Sequence, residues 1–360
     1  APVVAALTQP PFAASAMDGY AITEADHQPG SSLTVIGTSA AGHGFAGPVG
    51  PGQAVRIFTG APVPDGAARV VLQEDVTGSG NTVSLGLRLE TATHIRPAGQ
   101  DFRAGDLLSA PRRLTPRDLA LAAAMNAPSV TVARRPVVAL IATGDELVMP
   151  GESPSPDQII ASNSFALAAM AEAAGAEARL LPIARDTEAS LAFTLSLAAD
   201  ADLIVTIGGA SVGDHDLVAK VAQGMGLDRA FWKIAMRPGK PLMAGRMGKA
   251  AMLGLPGNPV SAIVCGHLFM QPLIRALQGD PAPLPVPLTA RLGADVEANG
   301  PRAHYMRARL GHQAGEVVVT PFDRQDSALL SILSDAGALL VRPVGDGPRK
   351  AGERVPYLAL

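Results

Sequence analysis

A chain of 360 residues is long enough for two or more domains with sizeable cores. Its formal charge of −3 supplies no global basic field to attract nucleic acid. The single cysteine, Cys265, excludes an intrachain disulfide framework and a Cys-rich zinc site, and fits a reducing, cytoplasmic setting. No apolar run reaches the roughly 18 residues needed to cross a bilayer, so neither a membrane nor a nucleic acid is an expected partner. The opening APVVAALTQPPF is too short and uncharged for a signal peptide, and it reads as though residues before it were missing.

Residues 15–105 contain short β-type runs (SLTVIG, QAVRIF, ARVVLQ, NTVSLGLRLE) broken by Gly and Pro, which predicts a β-rich insertion domain. Residues 113–127 predict a helix, with Thr115 as N-cap and Pro116 in the first helical position. Together with 1–14, the segment 106–134 is read as a linking domain, a truncated first domain. From 135 to 282 strands alternate with helices: PVVALIAT, a helix over 164–174 closed by Gly175, ARLLPIA, EASLAFTLSLAA, DLIVTIGG, HDLVAKVAQGM, KAAMLGL, and the long helix PVSAIVCGHLFMQPLIRALQG. This alternation predicts βαβ units and a mainly parallel sheet. The stretch DPAPLPVP reads as a stiff linker. The tail 283–360 returns to short β runs (LTARLG, YMRARLG, EVVVTPF, GALLVRPV) and predicts a small β-barrel, with a sandwich as the alternative. The fold class is therefore α/β plus β.

The chemistry is concentrated in loops. Asp18-Gly19 reads as a hairpin turn when taken alone. Thr59, in FTGAPVP, sits in a Pro-braced turn whose backbone N–H groups could hold an anion. Arg96 and Asp101, in IRPAGQD, are either a surface ion pair or a phosphate fork. Asp145 and Glu146 end the first strand of the alternating region, Arg185 and Asp186 the second, and Ser211, Asp214 and Asp216 the third. Carboxylates at neighbouring strand ends repel one another unless a cation neutralises them, and an oxygen-only donor set favours Mg²⁺ over zinc. MRPGKP (236–241) places Arg237 and Lys240 around Pro-Gly, with Pro238 and Pro241 fixing the backbone, and is either a solvated turn or a preorganised anion clamp. GRMGKA (245–250) has the wrong spacing for a Walker loop. In LPGNPV, Pro256 precedes a helix that Asn258 caps and Pro259 opens, aiming a positive helix end at the same edge. In the tail, Arg307 and Arg309 share a strand face and Ser327 follows a strand. His304 is read as a loop residue, and His215 is the one histidine singled out.

Taken in order, SAMDGYAI, QAVRIFTGAPVPDGA, IRPAGQDF, ATGDEL, SNS, ARDT, GGASVGDHD, MRPGKPL and GLPGNPVSA resemble the loops of the molybdopterin molybdenumtransferase family, which includes the E domain of gephyrin. The resemblance covers about residues 10–345 and implies a central molybdopterin-binding domain and a homodimer. In that dimer the α/β domain of one subunit meets the β-rich insertion of the other. It implies insertion of molybdate into adenylylated molybdopterin with release of AMP, assisted by Mg²⁺, and makes the adenylyltransferase of the preceding step a candidate partner.

Carried over by position, Asp18, Thr59, Asp101, Glu146, Asp186 and Asp216 would be catalytic, with Asp186 and Asp216 holding Mg²⁺. Arg96, Ser211, Lys233, Arg237, Lys240, Pro241, Pro256, Asn258, Pro259, Arg307 and Ser327 would bind substrate or molybdate. The chain departs from the family in its short N-terminal segment, in Arg237 where Lys is usual, and in Ala210 where Val is usual. The adenylyltransferase is the nearest rival, but its nucleotide loop reads GGTG where this chain has GGASVG. A non-catalytic scaffold is disfavoured by the retained acids. A generic Mg²⁺ phosphohydrolase leaves the MRPGKP clamp without a purpose.

Overall fold

The computed structural model describes residues 1–209 and 217–360, which form two compact units, Ala1–Val132 and Ala133–Leu360. In the first unit, strands Arg69–Leu72, Gly19–Ile22, Gln53–Ile57, Ser32–Ser39, Thr82–Leu85 and Val76–Ser79 form one sheet in that order. Successive side chains of a strand point to opposite faces, and both faces are used. Ala21, Val55, Ile57 and Val70 pack on one side, and Ile22, Ala54, Val71 and Val83 on the other. Asp18-Gly19 is therefore no hairpin turn. Gly19 begins a strand packed so closely that a Cβ would lie 1.9 Å from the Val71 carbonyl oxygen.

Helix Pro116–Ala124 starts as its sequence predicts. Thr115 accepts from the Asp118 N–H, and the Asp118 carboxylate accepts from the Thr115 N–H in a capping box. Its inner face, with Ala122 and Met125, packs on Ala5, Phe102 and Leu108 beside the short ladder of Val3–Val4 with Leu107–Leu108.

In the second unit a six-stranded sheet runs Glu177–Leu180, Val137–Ala142, Leu203–Ile207, Ala250–Leu255, Met243–Met247, Leu227–Trp232. The first four strands are parallel, and the last two add an antiparallel edge. That edge was not legible from the sequence, because only Leu227 of Leu227–Trp232 is buried and the strand carries no apolar run. Helices Asn163–Ala173 and Pro259–Cys265 pack on one face through Leu167, Ala171, Val260 and Val264. Glu188–Ser196 and Leu217–Gly224 pack on the other through Leu191, Leu195, Val218 and Ala222.

One expectation needs correcting. The continuous helix Pro259–Leu277, 19 residues with a mean hydropathy of 1.4, is long and apolar enough to cross a membrane. It is a core helix instead: Val260, Val264, Cys265, Met270 and Ile274 are fully buried. A π-turn over Gly266–Met270 lets it pass helix Asn163–Ala173 at Gly266, where a Cβ would meet Leu167 at 2.6 Å.

The last sheet takes the barrel form. Ala303–Gln313, Glu316–Pro321, Leu288–Leu292, Arg354–Ala359 and Ala338–Arg342 pair in that order, and Ala338–Arg342 pairs back onto Ala303–Gln313. The enclosed core is Ala290, Leu292, Ala308, Val319, Leu340, Val355 and Tyr357. The short strand Met236–Arg237 joins from outside, with Arg237 opposite His304. It ties the MRPGKP loop of the α/β sheet to the barrel.

Candidate functional site

The register of the sheet brings the polar loops of the second unit to one rim. Strands Val137–Ala142, Leu203–Ile207 and Ala250–Leu255 run parallel and end together. Trp232 and Met243 lie at that same end, because Met243 is opposite both Trp232 and Gly254. The loops after residues 142, 180, 207, 232 and 255 therefore share the carboxyl edge. The chain leaves Val137–Ala142 to one side for Glu177–Leu180 and returns on the other side as Leu203–Ile207. Loop 143–147 and the glycines 208–209 thus flank the switch point where open α/β sheets bind ligands. Here the backbones are in close contact: the Thr143 N–H donates to the Ile207 carbonyl at 3.0 Å, and a Cβ on Gly208 would lie 2.8 Å from the Thr143 oxygen.

On one side of the switch point lie the acids. Arg185 donates to the carbonyls of Asp145 (3.1 Å) and Leu147 (3.1 Å), and the Asp186 N–H donates to the Asp145 carboxylate (3.1 Å). The two acidic loops are thereby fastened together. The Glu146 carboxylate lies over Gly144, which has φ 145° and no Cβ to block it. Glu146 and Asp186 are exposed, and among the described residues neither has an ion-pair partner. No group of three acidic, His or Cys side chains among the described residues is placed to hold an ion alone. One or two carboxylates completed by phosphate oxygens and water is the usual Mg²⁺ arrangement, so the donors present fit that ion. Ala210, Ser211, Asp214, His215 and Asp216 lie outside the described residues.

On the other side lies a cavity of about 300 Å³. Its lining includes Arg237, Gly239, Lys240, Pro241, Asn258, Arg302, His304 and Ser327. Gly239 has φ 101°, and a Cβ there would come within 2.4 Å of Cys265 Sγ. The clamp loop is seated directly on the core helix. Asn258 does not cap its helix with its side chain; it donates to the Ser327 hydroxyl at 2.9 Å, while the Val260 N–H donates to the Ser327 carbonyl at 3.1 Å. These two bonds fasten the first turn of the helix to the barrel loop. Arg237 donates to Nδ1 of His304 at 2.9 Å. Burial and then the nearby Arg237, Arg307, Arg342 and Arg302 push the His304 imidazole down to about 3, so it is neutral at pH 7. Among the described residues, Arg237, Lys240 and Arg302 have no carboxylate partner. Burial also pushes the Cys265 thiol up to about 12, which removes it as a nucleophile at neutral pH.

The structure places four further candidates, Arg307, Lys233, Pro256 and Pro259, as follows. Arg307 is 1% exposed and is not part of the cavity lining. It donates to the carbonyls of Asp326 (2.9 Å), Leu329 (3.4 Å) and Arg324 (3.4 Å), holding the loop that carries Ser327. Lys233 lies over the Trp232 ring at 4.0 Å. Pro256 is buried at a strand end, and Pro259 opens the helix. Arg302, which the sequence did not single out, lines the cavity, and so does His304, which is no loop residue but the second residue of strand Ala303–Gln313. The signal for His304 was its position beside the strand run YMRARL, which its strand extends backward.

In the first unit, the Asp18 carboxylate accepts from the Thr59 N–H at 2.7 Å and from its hydroxyl at 2.8 Å. These bonds, with Arg56 nearby, hold the Asp18 carboxyl below the usual carboxylate range. Arg56 is itself stacked between Tyr20 and Phe58. Ile95–Arg96 pairs with Ala14–Ser15, which brings Arg96 to the loop that precedes Asp18. Asp101 is exposed, and its N–H donates to the Gln9 carbonyl at 3.0 Å.

A mainly parallel α/β sheet with acidic and cationic side chains on its carboxyl edge, followed by a closed barrel, defines the class as a multidomain α/β plus β protein. Residues 1–126 match the MoeA N-terminal region (domain I and II), 139–276 a probable molybdopterin binding domain, and 289–360 the MoeA C-terminal region (domain IV). The chain is 36% identical over 379 aligned positions to a molybdopterin molybdenumtransferase of Nostoc sp., covering 100% of this chain and 85% of that one. It is 38% identical over 328 positions to molybdopterin molybdenumtransferase 2 of Mycobacterium tuberculosis, covering 88% and 81%. The structure resembles the molybdopterin biosynthesis moeA protein of Pyrococcus horikoshii OT3 with a TM-score of 0.84 at 26% identity, covering 99% of this chain and 90% of that one. The chain belongs to the molybdopterin molybdenumtransferase family.

Proposed function

We propose that this protein is a transferase of molybdenum cofactor biosynthesis that inserts molybdate into adenylylated molybdopterin and releases AMP. The observation that carries the reading is the pairing, on one rim, of the carboxylates of Glu146 and Asp186 with a cavity lined by Arg237, Lys240 and Arg302, none of which has an ion-pair partner among the described residues. A substrate with a phosphoanhydride at one end and a dithiolene at the other, met by a dianionic oxyanion, needs both, and needs them separated by the length of the pterin nucleotide.

In this reading Lys240 and Arg302 neutralise the oxyanion, while Arg237 forks onto two of its oxygens. Ser327, held by Asn258, orients a further oxygen. Asp186, with Asp216, would hold Mg²⁺, which when bound draws off charge that builds on the phosphate oxygens as the anhydride is cleaved. Glu146 fixes the nucleotide end of the substrate. Asp18, Thr59 and Asp101 are assigned to the same reaction, with Asp18 kept ionised by the two bonds from Thr59, and Arg96 to substrate binding. The remaining assignments, Ser211, Lys233, Pro241, Pro256 and Pro259, shape the site around these groups.

We further propose a cytoplasmic homodimer that receives its substrate from the preceding adenylyltransferase. The homodimer reading is supported by the exposed apolar side chains Met149, Ile159, Ile160 and Phe165. Light scattering at micromolar concentration is expected to give the mass of two chains; the mass of one would overturn the dimer.

The decisive assay mixes the purified protein with adenylylated molybdopterin, Mg²⁺ and molybdate, and follows AMP and active cofactor. Asp186→Asn should retain its circular dichroism and lower AMP release by about 100-fold. Lys240→Ala should raise the molybdate concentration for half-saturation by roughly tenfold to a hundredfold, the worth of one charge-assisted hydrogen bond. Wild-type protein that makes neither AMP nor cofactor would refute the reading.

A further inference from the structure

The cavity contains one side chain that is buried, titratable and not part of the oxyanion clamp. His304 is 5% exposed, lines the cavity, and lies opposite Arg237 on paired parallel strands. Arg237 is exposed and donates to Nδ1 of His304 at 2.9 Å. A guanidinium only donates. Nδ1 must therefore be unprotonated, and the one imidazole proton sits on Nε2.

We propose that His304 is a positioning residue for the oxyanion: a neutral acceptor that fixes the fork of Arg237 over the cavity while leaving its charge uncompensated, so that the clamp selects dianions over monoanions. This rests on reading the cavity as the oxyanion clamp.

The physical case has three parts. An exposed arginine loses rotamer freedom when it binds an anion, and a prior hydrogen bond from one of its nitrogens removes part of that loss. An acidic side chain in the same place would hold Arg237 equally well, but its charge would neutralise the guanidinium and repel an incoming oxyanion. Imidazole holds it without doing so. The charged groups acting on His304 are Arg237, Arg307, Arg342 and Arg302, all cations, and with burial they keep the ring neutral. Among the described residues no carboxylate offsets the charges of Arg237, Lys240 and Arg302 in the cavity.

The test is calorimetric titration of the full chain with sodium molybdate, and with perchlorate as the monoanion, at pH 7. His304→Asn, whose Oδ1 replaces Nδ1, is expected to keep molybdate affinity within about threefold. His304→Leu should weaken it by roughly tenfold, the worth of one hydrogen bond to a charged group, and His304→Asp at least as much, with the preference for molybdate over perchlorate reduced. In an Arg237→Ala background, His304→Leu should have no further effect. A wild-type protein that fails to bind molybdate would overturn the clamp reading and this proposal with it. Wild-type binding with an unchanged His304→Leu, or a His304→Leu loss that persists in Arg237→Ala, would overturn this proposal alone. Should His304→Leu fail to fold, ¹⁵N spectra of the wild-type imidazole, assigned by His304→Asn, decide the matter. A neutral Nε2–H ring at pH 6 is expected, and an imidazolium at that pH would sink the proposal.

Discussion

Arg302 and Arg307 lie five positions apart and serve opposite ends of the same task. Arg302 lines the cavity with no carboxylate partner among the described residues, whereas Arg307 is buried and spends its donors on the carbonyls of Arg324, Asp326 and Leu329. Gln325 completes the brace by accepting from the Arg307 N–H at 3.0 Å and donating to its carbonyl at 2.9 Å. Hydrogen bonds to charged groups contribute about 1.5–3 kcal/mol each, so Arg307→Met should lower stability by about 3 kcal/mol, read as a fall in urea midpoint. Arg302→Ala should leave the midpoint in place and weaken molybdate binding. The reverse pattern would make Arg307 the ligand. Residue type and spacing could identify both as arginines on or near a strand; which one faces inward depends on the loop 322–329, which has no periodicity to read.

Two elements set the site's rigidity. The MRPGKP loop needs its glycine because the backbone of residue 239 passes over Cys265 at a left-handed φ. Gly239→Ala forces the loop off the helix, and the strain of the φ alone is on the order of 1–3 kcal/mol. A lower melting temperature and a weaker molybdate affinity should appear together; loss of stability with unchanged affinity would show that the clamp does not depend on this seat. Helix Pro116–Ala124 is a contrasting case, far simpler to read. Its capping box is local, so Thr115→Ala should cost about 1 kcal/mol, measured by chemical denaturation. The cap was legible because all its atoms lie within one turn, while the contact of Gly239 with Cys265 joins segments 26 positions apart, too distant for any local pattern to record.

At the scale of the whole molecule, the net charge of −3 conceals a cavity lined by three cations. The same cavity makes stability depend on pH. Unfolded His304 takes up a proton near its ordinary 6.5, but in the folded chain it does so only near 3. Between those values the unfolded state binds more protons, so stability falls as pH drops, by up to about 1.4 kcal/mol per pH unit from this residue. His267 is also held below its ordinary value by burial and adds in the same direction. His304→Asn should therefore flatten the loss of unfolding free energy between pH 6 and pH 4 without abolishing it; an unchanged slope would mean that His304 is protonated in the folded state.

The linear chain determined the β-rich first segment, the alternation over 135–282, the capped helix at Thr115 and the loops that carry the family resemblance. These are decided by periodicity, caps and turn chemistry within a few residues of each other. It did not determine the antiparallel edge Leu227–Trp232 with Met243–Met247, the inward turn of Arg307, or the meeting of Arg237 with His304. Strand order and barrel closure decide those, because they bring together segments separated by tens of residues. Only when such segments meet does burial fix which polar groups are neutral and which charges stay uncompensated.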